Sequence, residues 1–362
     1  MIRGSIPLLI YILITMFLYF RISRGLELKN GGKLFIGGSL TFSLIIFIVY
    51  AKLCAKVTLT PLFLLSGFLM GMMLISSTFF FFELIFTTAI KKKKLFVLIA
   101  LFLSISVSIY SWINGRSIPV VRNIEIKLKD IPETLSGFTI AHLSDIHIEK
   151  GITSERWLRK VVETTNKLKP DLIVITGDLV SMVVRDGKKY SVILSGFKAK
   201  FGVYCVTGNT DFGNNVNTFG EIINNTEIRV LINESVKLKN GIVIVGVDDK
   251  EGKNSRKEDR GTDLKKAFSG VDKSNTIIFL SHRPDIFDNA VRSGVDLQLS
   301  GHTHAGQIPP LDIFSKFYFK YDYGLYKKGD SYIYISCGTG TWPFMPMRLF
   351  SKNEIIKIVL VN

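Results

Sequence analysis

Four long apolar runs open this chain, at residues 5–20, 34–51, 60–82 and 95–113. None has the polar face that a helix on the surface of a soluble domain presents. About 20 helical residues cross a hydrocarbon core, so the third and fourth runs suffice and the first two are short but workable. A signal peptide supplies one such run and not four, so cleavage is not expected. Residues 57–90 are also long enough for a hairpin of two helices, which would make five spans.

After Asn114-Gly115-Arg116 the pattern changes. Short β-branched runs predict strands at 138–144, 171–176, 202–207, 241–247, 275–280, 295–299, 331–336 and 354–361. Amphipathic helices are predicted between them, most clearly at 154–168 and, opened by a proline, at 284–292. The fold class is therefore α/β, with a transmembrane domain over 1–115 followed by a folded domain over 116–362. Residues 250–261 read as a charged, solvated loop.

Composition supports that division. Hydrophobic residues make up 47% of the chain and charged residues 21%. Mean hydropathy is +0.30, too apolar for an ordinary soluble protein. The net charge of +16 would suit nucleic acid if it lined one groove. Instead the first 116 residues carry 12 Lys and Arg against only Glu27 and Glu83, and these bases bracket the apolar runs. The charge thus argues for a membrane and against nucleic acid. With four spans, loops 21–33 and 91–94 share one side and hold eight basic residues. The positive-inside rule then places them in the cytoplasm and the C-terminal domain outside, an orientation a fifth span would reverse. Cys54, Cys205 and Cys337 lack the spacing of a disulfide framework or zinc knuckle.

The candidate chemistry follows the strands. Asp145 and His147, Gly177-Asp178, Gly208-Asn209, Ser281-His282, and Gly301-His302-Thr303-His304 each stand at a predicted strand's carboxyl end, where α/β sheets gather ligands. Four of the five histidines lie in these islands. Such a set suits two divalent cations about 3.5–4 Å apart, clamping the attacking and leaving oxygens of a phosphoryl displacement. Asp178 can bridge them, imidazoles fill further positions, and Asn209 offers a neutral oxygen. A water shared by the metals becomes the nucleophilic hydroxide. The donor set suits Mn, Fe or Zn. Glycines before Asp178, Asn209 and His302 are expected to let the backbone turn sharply.

In this order and spacing, DIH, GD, GN, SH and GHTH resemble the calcineurin-like metallophosphoesterases over about residues 120–362. The flanking LSDIH, LSHRPD, GHTHAGQ and GTGTWPFMPMR look like the bacterial membrane-associated branch, which includes members that cut the pyrophosphate of UDP-diacylglucosamine. The resemblance implies a sandwich of two mixed β-sheets flanked by helices, with two metals in its cleft. It also implies that Asp145, His147, Asp178 and His304 hold one metal, and Asp178, Asn209, His282 and His302 the other.

One position departs from the family. Its third motif reads GNH followed by an acid, whereas this chain has Gly208-Asn209-Thr210-Asp211. The family's His is thought to protonate the leaving oxygen or steady the phosphate, and a threonine cannot deliver that proton at neutral pH. The expected reaction is hydrolysis of a phosphodiester or pyrophosphate with a low-pKa leaving group, in a lipid-linked substrate. Asp178, Asn209, Asp211 and His302 are its candidate catalytic residues, with Asp211 serving through water. His142 is an alternative acid, but strand alternation puts it on the face opposite Asp145. An inactive metal-binding or phosphate-binding module is the rival reading. A second rival, a transporter regulated by the folded domain, has only Glu83 as a charge within the runs, read as interfacial. The aromatics and lysines of 314–328 suit either a membrane headgroup layer or a hairpin packing its rings inward. Arg348 suits a phosphate contact or a surface salt bridge.

Overall fold

The computed structural model describes residues 2–53, 60–89, 93–129, 131–149, 153–181, 187–212, 216–254, 260–342 and 344–362. Two compact units emerge. One comprises Met1–Arg116, Gly306–Ile313 and Trp342–Phe350; the other comprises Ser117–Ala305, Phe314–Thr341 and Ser351–Asn362.

The first unit is built on helices α1 (Ile2–Gly25), α2 (Asn30–Leu53), α3 (Thr60–Ala89) and α4 (Lys93–Gly115). Among the described residues α3 is one unbroken helix, so the two-helix hairpin does not form there. Its interior has no proline, and the Ser66-Gly67 pair does not break it. Among the described residues, three stretches are long and apolar enough to cross a membrane: Leu8–Gly25, Pro61–Thr87 and Lys93–Gly115. The run at 34–51 lies within α2, and its side chains at 47, 50 and 51 lie outside the described residues, as does Cys54. Helix α4 buries Val97, Ala100, Ser104, Ser108 and Ser111, a face of mainly small side chains that permits close packing.

Glu83 corrects the sequence reading. It is buried, not interfacial, and Arg21 of α1 reaches it at 2.6 Å. A long guanidinium side chain can supply a partner that the local sequence does not reveal. The segment Trp342–Phe350 is seated by glycines. A Cβ on Gly67 would lie 2.6 Å from the Phe344 carbonyl oxygen, and one on Gly71 would lie 2.2 Å from the Met347 sulfur. Gln307 fastens the same segment: its amide oxygen accepts from the Trp342 N–H (2.7 Å), and its amide nitrogen donates to the Met345 carbonyl (3.0 Å).

The second unit is a two-sheet sandwich. Its elements are β1 (Val120–Lys127), β2 (Thr139–Leu143), α5 (Glu155–Lys167), β3 (Leu172–Thr176), α6 (Gly187–Leu194), β4 (Val203–Val206), α7 (Val216–Asn224), β5 (Ile228–Val230), β6 (Glu234–Lys237), β7 (Val243–Gly246), α8 (Leu264–Ala267), β8 (Ile277–Leu280), α9 (Phe287–Ser293), β9 (Leu297–Ser300), β10 (Gly324–Lys328), β11 (Ser331–Ile335) and β12 (Glu354–Val361). Helix α10 (Leu311–Tyr318) lies between β9 and β10 in the chain. One sheet has the order β1-β12-β2-β3-β4-β5, the other β10-β11-β9-β8-β7-β6. Strands β2 to β5 are parallel, as are β11, β9, β8 and β7, with antiparallel neighbours at β12 and at both ends of the second sheet.

Alternation explains the apolar strands. Ile140, Leu172 and Val174 face the core between the sheets with Ile278, Leu280 and Leu299. Their neighbours Ala141, Leu143, Ile173 and Ile175 pack outward against Leu158, Val161, Tyr190 and Ile222 of α5, α6 and α7. With both faces covered, these strands read as continuous apolar runs. The parallel strands consequently deliver their carboxyl ends to one edge of the sandwich.

Candidate metal centre

Seven polar side chains gather at that edge. Asp145 and His147 follow β2, Asp178 follows β3, Asn209 follows β4, His282 follows β8, and His302 and His304 follow β9. The Nε2 atoms of His147 and His304 face each other at 3.1 Å, and His302 Nδ1 faces His282 Nε2 at 3.2 Å. Asn209 Oδ1 lies 3.1 Å from that same His282 nitrogen. Asp178 stands between the pairs, with Oδ2 3.7 Å from His147 Nε2 and Oδ1 3.5 Å from His282 Nε2. Two ligand groups result, Asp145 with His147 and His304, and Asp145 with Asp178 and His282, each with donor atoms within 4.8 Å of one another. Asp145 therefore belongs to both groups, closer to the second than the sequence resemblance implied.

The chemistry of these donors fits divalent metal. Asp145 Oδ1 is buried without a hydrogen-bond partner, 3.1 Å from His304 Nε2. Such a charge inside a protein calls for a cation. The imidazoles are oriented from behind: His282 Nδ1 meets the Thr176 carbonyl at 2.9 Å, and His147 Nδ1 meets Ser181 Oγ at 2.9 Å. These contacts leave the Nε2 atoms pointing inward. Burial opposes charge on His282, but Asp178 and Asp145 overcome it and push its pKa up to about 10. Burial also lowers that of His147, to about 4, against the pull of Asp178. Burial opposes ionisation of Asp145, yet His304 and its neighbours hold that carboxyl well below its usual range. The edge thus keeps two carboxylates ionised among imidazoles.

The backbone is strained where it carries this cluster. Asp145, His147, Asp178, His302 and His304 all have positive φ, from 50° at His147 to 75° at His302. Non-glycine residues reach that region at a cost of roughly 1–3 kcal/mol each, which concentrates at functional sites. The glycines act partly otherwise than expected. Gly177 has φ +83°, but Gly208 is extended, and its hypothetical Cβ would lie 2.2 Å from Asp178 Oδ1. At Gly301 a Cβ would lie 1.9 Å from Ser144 Oγ. At these last two positions the requirement is space.

Thr210 and Asp211 brace the site. The Thr210 hydroxyl donates to the Val180 carbonyl at 2.6 Å and its amide donates to Asp178 Oδ1 at 2.8 Å. The Asp211 oxygens accept from the Val180 and Gly208 amides, at 2.9 and 2.8 Å. Burial, reinforced by Asp178, pushes the Asp211 carboxyl up to about 8. The structure therefore does not bring Asp211 among the facing donors. His142 is buried on the inter-sheet face, where Nε2 meets Thr176 Oγ1 at 2.8 Å. Arg348 is fully buried in the helical unit, which corrects its reading as a surface salt bridge.

The aromatic stretch divides between its two readings. Tyr321 and Tyr326 pack against Phe287, Ile333 and Ile335. Phe314, Phe317 and Tyr318 are exposed, at 62%, 86% and 82%. Phe319 follows them and sets its ring edge-on to His302, with centroids 5.8 Å apart.

Sequence reasoning missed three residues beside the donors. Asp248 and Asp249 follow β7 as the other donors follow their strands, and Arg283 directly follows His282. Arg283 Nε donates to Asp249 Oδ2 at 2.8 Å, and Nη1 lies 2.9 Å from His302 Nε2. The strand-end rule could have found the aspartates; nothing local marked the arginine.

Residues 138–306 match the sequence profile of the calcineurin-like phosphoesterases. A transmembrane protein with metallophosphoesterase domain from Danio rerio is 33% identical over 72% of this chain and 62% of its own length. An uncharacterized metallophosphoesterase of Bacillus subtilis is 34% identical over 65% of this chain and 83% of its own. One from Campylobacter jejuni is 31% identical over 72% and 68%. The chain spans about three fifths of the Danio rerio, Caenorhabditis elegans and Bos taurus relatives it matches.

Proposed function

Because this chain belongs to the calcineurin-like phosphoesterase family, we propose that it is a membrane-held dinuclear-metal phosphoesterase acting on a phosphodiester or pyrophosphate bond in a lipid-linked substrate. The observation that carries this reading is the placing of Asp178, with one oxygen toward His147 and the other toward His282. A carboxylate so placed suits a bridge. Asp145, His147 and His304 would hold one ion, and His282, Asn209 and His302 the other, as Mn, Fe or Zn. Bound divalent metals supply Lewis-acid polarisation of phosphorus and activation of a water.

The chain's own residues determine the rest. His282 and His147 keep their outer nitrogens occupied by Thr176 and Ser181, which holds the inner nitrogens on target. Thr210 spends its hydroxyl proton on a backbone carbonyl, so this position supplies no acid for a basic leaving group. A missing general acid costs about 10²–10⁴-fold for a basic alkoxide and little for an acidic leaving group. The exposed Phe314, Phe317 and Tyr318, followed by a ring touching His302, support an amphiphilic substrate. The apolar helices support a multi-pass arrangement, and with α2 crossing beside the three stretches named above, so that four spans result, the basic loops favour an extracytoplasmic sandwich.

Full-length protein in detergent, stripped and reloaded with Mn²⁺, tests this on an aryl phosphodiester, an alkyl monoester and a lipid-linked sugar pyrophosphate. The pyrophosphate and aryl ester should exceed the alkyl ester by about 10² or more. Equal rates would refute the Thr210 argument. No cleavage of any substrate by protein holding two metals would favour a binding module. A C-terminal tag reachable from outside intact cells would fix the orientation, and a protected one would reverse it.

A further inference from the structure

Arg283 has a role that bracing alone does not explain. Its Nε is anchored by Asp249, whose carboxylate is fixed in turn by the Glu251 amide at 2.9 Å and whose own amide donates to Thr207 Oγ1 at 3.1 Å. The arginine side chain is only 16% exposed, so the anchor aims it within a partly desolvated rim. Nη1 touches Nε2 of His302, whose other ring nitrogen faces His282. Nη2 has only Glu251 at 3.8 Å, beyond hydrogen-bond reach. Among the described residues, a guanidinium with five N–H groups therefore makes two hydrogen bonds. The bond to His302 needs Nε2 as an acceptor, a role that nitrogen loses when Nδ1 serves a metal and the ring proton sits on Nε2. The Nη edge then has donors and no acceptor.

We infer that Arg283 binds the leaving phosphate of a phosphoanhydride substrate and is the feature that compensates for Thr210. The inference rests on the phosphoesterase reading and narrows its substrate class. As the anhydride is cleaved, water oxygen forms a new bond to one phosphorus and the bridging P–O bond breaks. Its electron pair stays on the bridging oxygen, which departs as a phosphate monoester, and the protons of the water pass to solvent. The departing group gains negative charge and needs no proton. A guanidinium meets that need, as a bidentate donor that stays charged throughout. An alkyl leaving oxygen offers it one acceptor in place of the several of a phosphate, and so draws less from it.

The test uses full-length, Mn²⁺-loaded protein and the variants Arg283→Ala and Arg283→Lys, with bound manganese measured to confirm that the cluster is intact. Calorimetry compares methylenediphosphonate, a non-hydrolysable P–C–P anion, with inorganic phosphate. Arg283→Ala should weaken diphosphonate binding about 10- to 100-fold and phosphate binding by less than about threefold, with partial recovery in Arg283→Lys. The kcat/KM for a sugar pyrophosphate should fall about as far as diphosphonate affinity, and about tenfold further than that for an aryl phosphodiester, whose leaving oxygen offers the guanidinium a single acceptor. Equal losses for both anions would overturn the inference and leave Arg283 as a positioner of His302. Unchanged diphosphonate binding would overturn it as well. A wild-type protein that turns over nothing would sink the enzymatic reading, and the calorimetric comparison would still decide Arg283.

Discussion

Both units of this chain bury carboxylates, and they neutralise them by different means. In the helical unit, Glu83 Oε2 lies 2.6 Å from an Arg21 guanidinium that is permanently charged. Among the described residues one oxygen of each site, Glu83 Oε1 and Asp145 Oδ1, is buried without a hydrogen-bond partner, but in the sandwich Asp145 and Asp178 face imidazoles, with His304 Nε2 3.1 Å from Asp145 Oδ1, and no guanidinium. The first arrangement is closed: its charge is balanced by the chain itself. The second is open, because imidazoles only partly balance two carboxylates, and a cation from outside completes it. Buried charge by itself therefore says little about function; whether the fold supplies its counter-charge says much more.

The comparison can be broken most decisively at Asp178. Asp178→Ala should lower bound metal from two ions to one or none, and should reduce metal-dependent hydrolysis by more than about 10³-fold. Elemental analysis alongside turnover checks this, and retention of two ions would remove Asp178 as the bridge.

Glu83 should respond in another currency. Glu83→Ala leaves the metal content unchanged and lowers stability by about 2 kcal/mol, less than for a fully buried pair because the Arg21 side chain is 26% exposed. Replacing both residues by methionine should restore most of that loss in thermal unfolding in detergent. A change in metal content in either variant would show that the two regions are not independent.

The smallest effect, taken over the first pH unit below 6.5, concerns His142, a buried imidazole outside the ligand set. Burial lowers its pKa to about 3, overcoming the attraction of Asp145. A base depressed on folding contributes stability that is fully present above its ordinary value of 6.5 and is lost as the pH falls toward 3. Metal-loaded wild-type protein should therefore lose stability below pH 6.5, by at most about 1.4 kcal/mol per pH unit from this group. His142→Gln should flatten that slope in thermal melts, and an unchanged slope would assign the acid sensitivity to the ligands instead.

Much of the site was legible because parallel strands buried on both faces leave a strong apolar signature, and the polar residue after each run then stands out. All eight predicted strands are present, with ends shifted by two residues or fewer. Strand β1 escaped notice because Arg122, Asn123 and Glu125 break its run, β5 because it spans only three residues, and β6 and β10 because Glu234 and Lys237, and Lys327 and Lys328, leave them no apolar run. The stretch after the GHTH motif reads ambiguously since aromatic residues serve a core and a membrane surface equally well. There only packing could assign Tyr321 inward and Phe317 outward.

The apolar helices, the α/β alternation and the seven candidate donors were readable from the chain alone, since each is written in local periodicity or in the residue that ends a strand. The tertiary structure alone decided which donors face one another, that Asp145 joins both groups, that Thr210 and Asp211 are tied to the backbone, and that Arg21 reaches Glu83. It also brought Asp249, Arg283 and His302 into one chain of contacts. Most of these are relations between residues 19 to 159 positions apart in sequence, from Arg283 with His302 to Asp145 with His304, and they depend on strand order and side-chain reach, which no local pattern encodes.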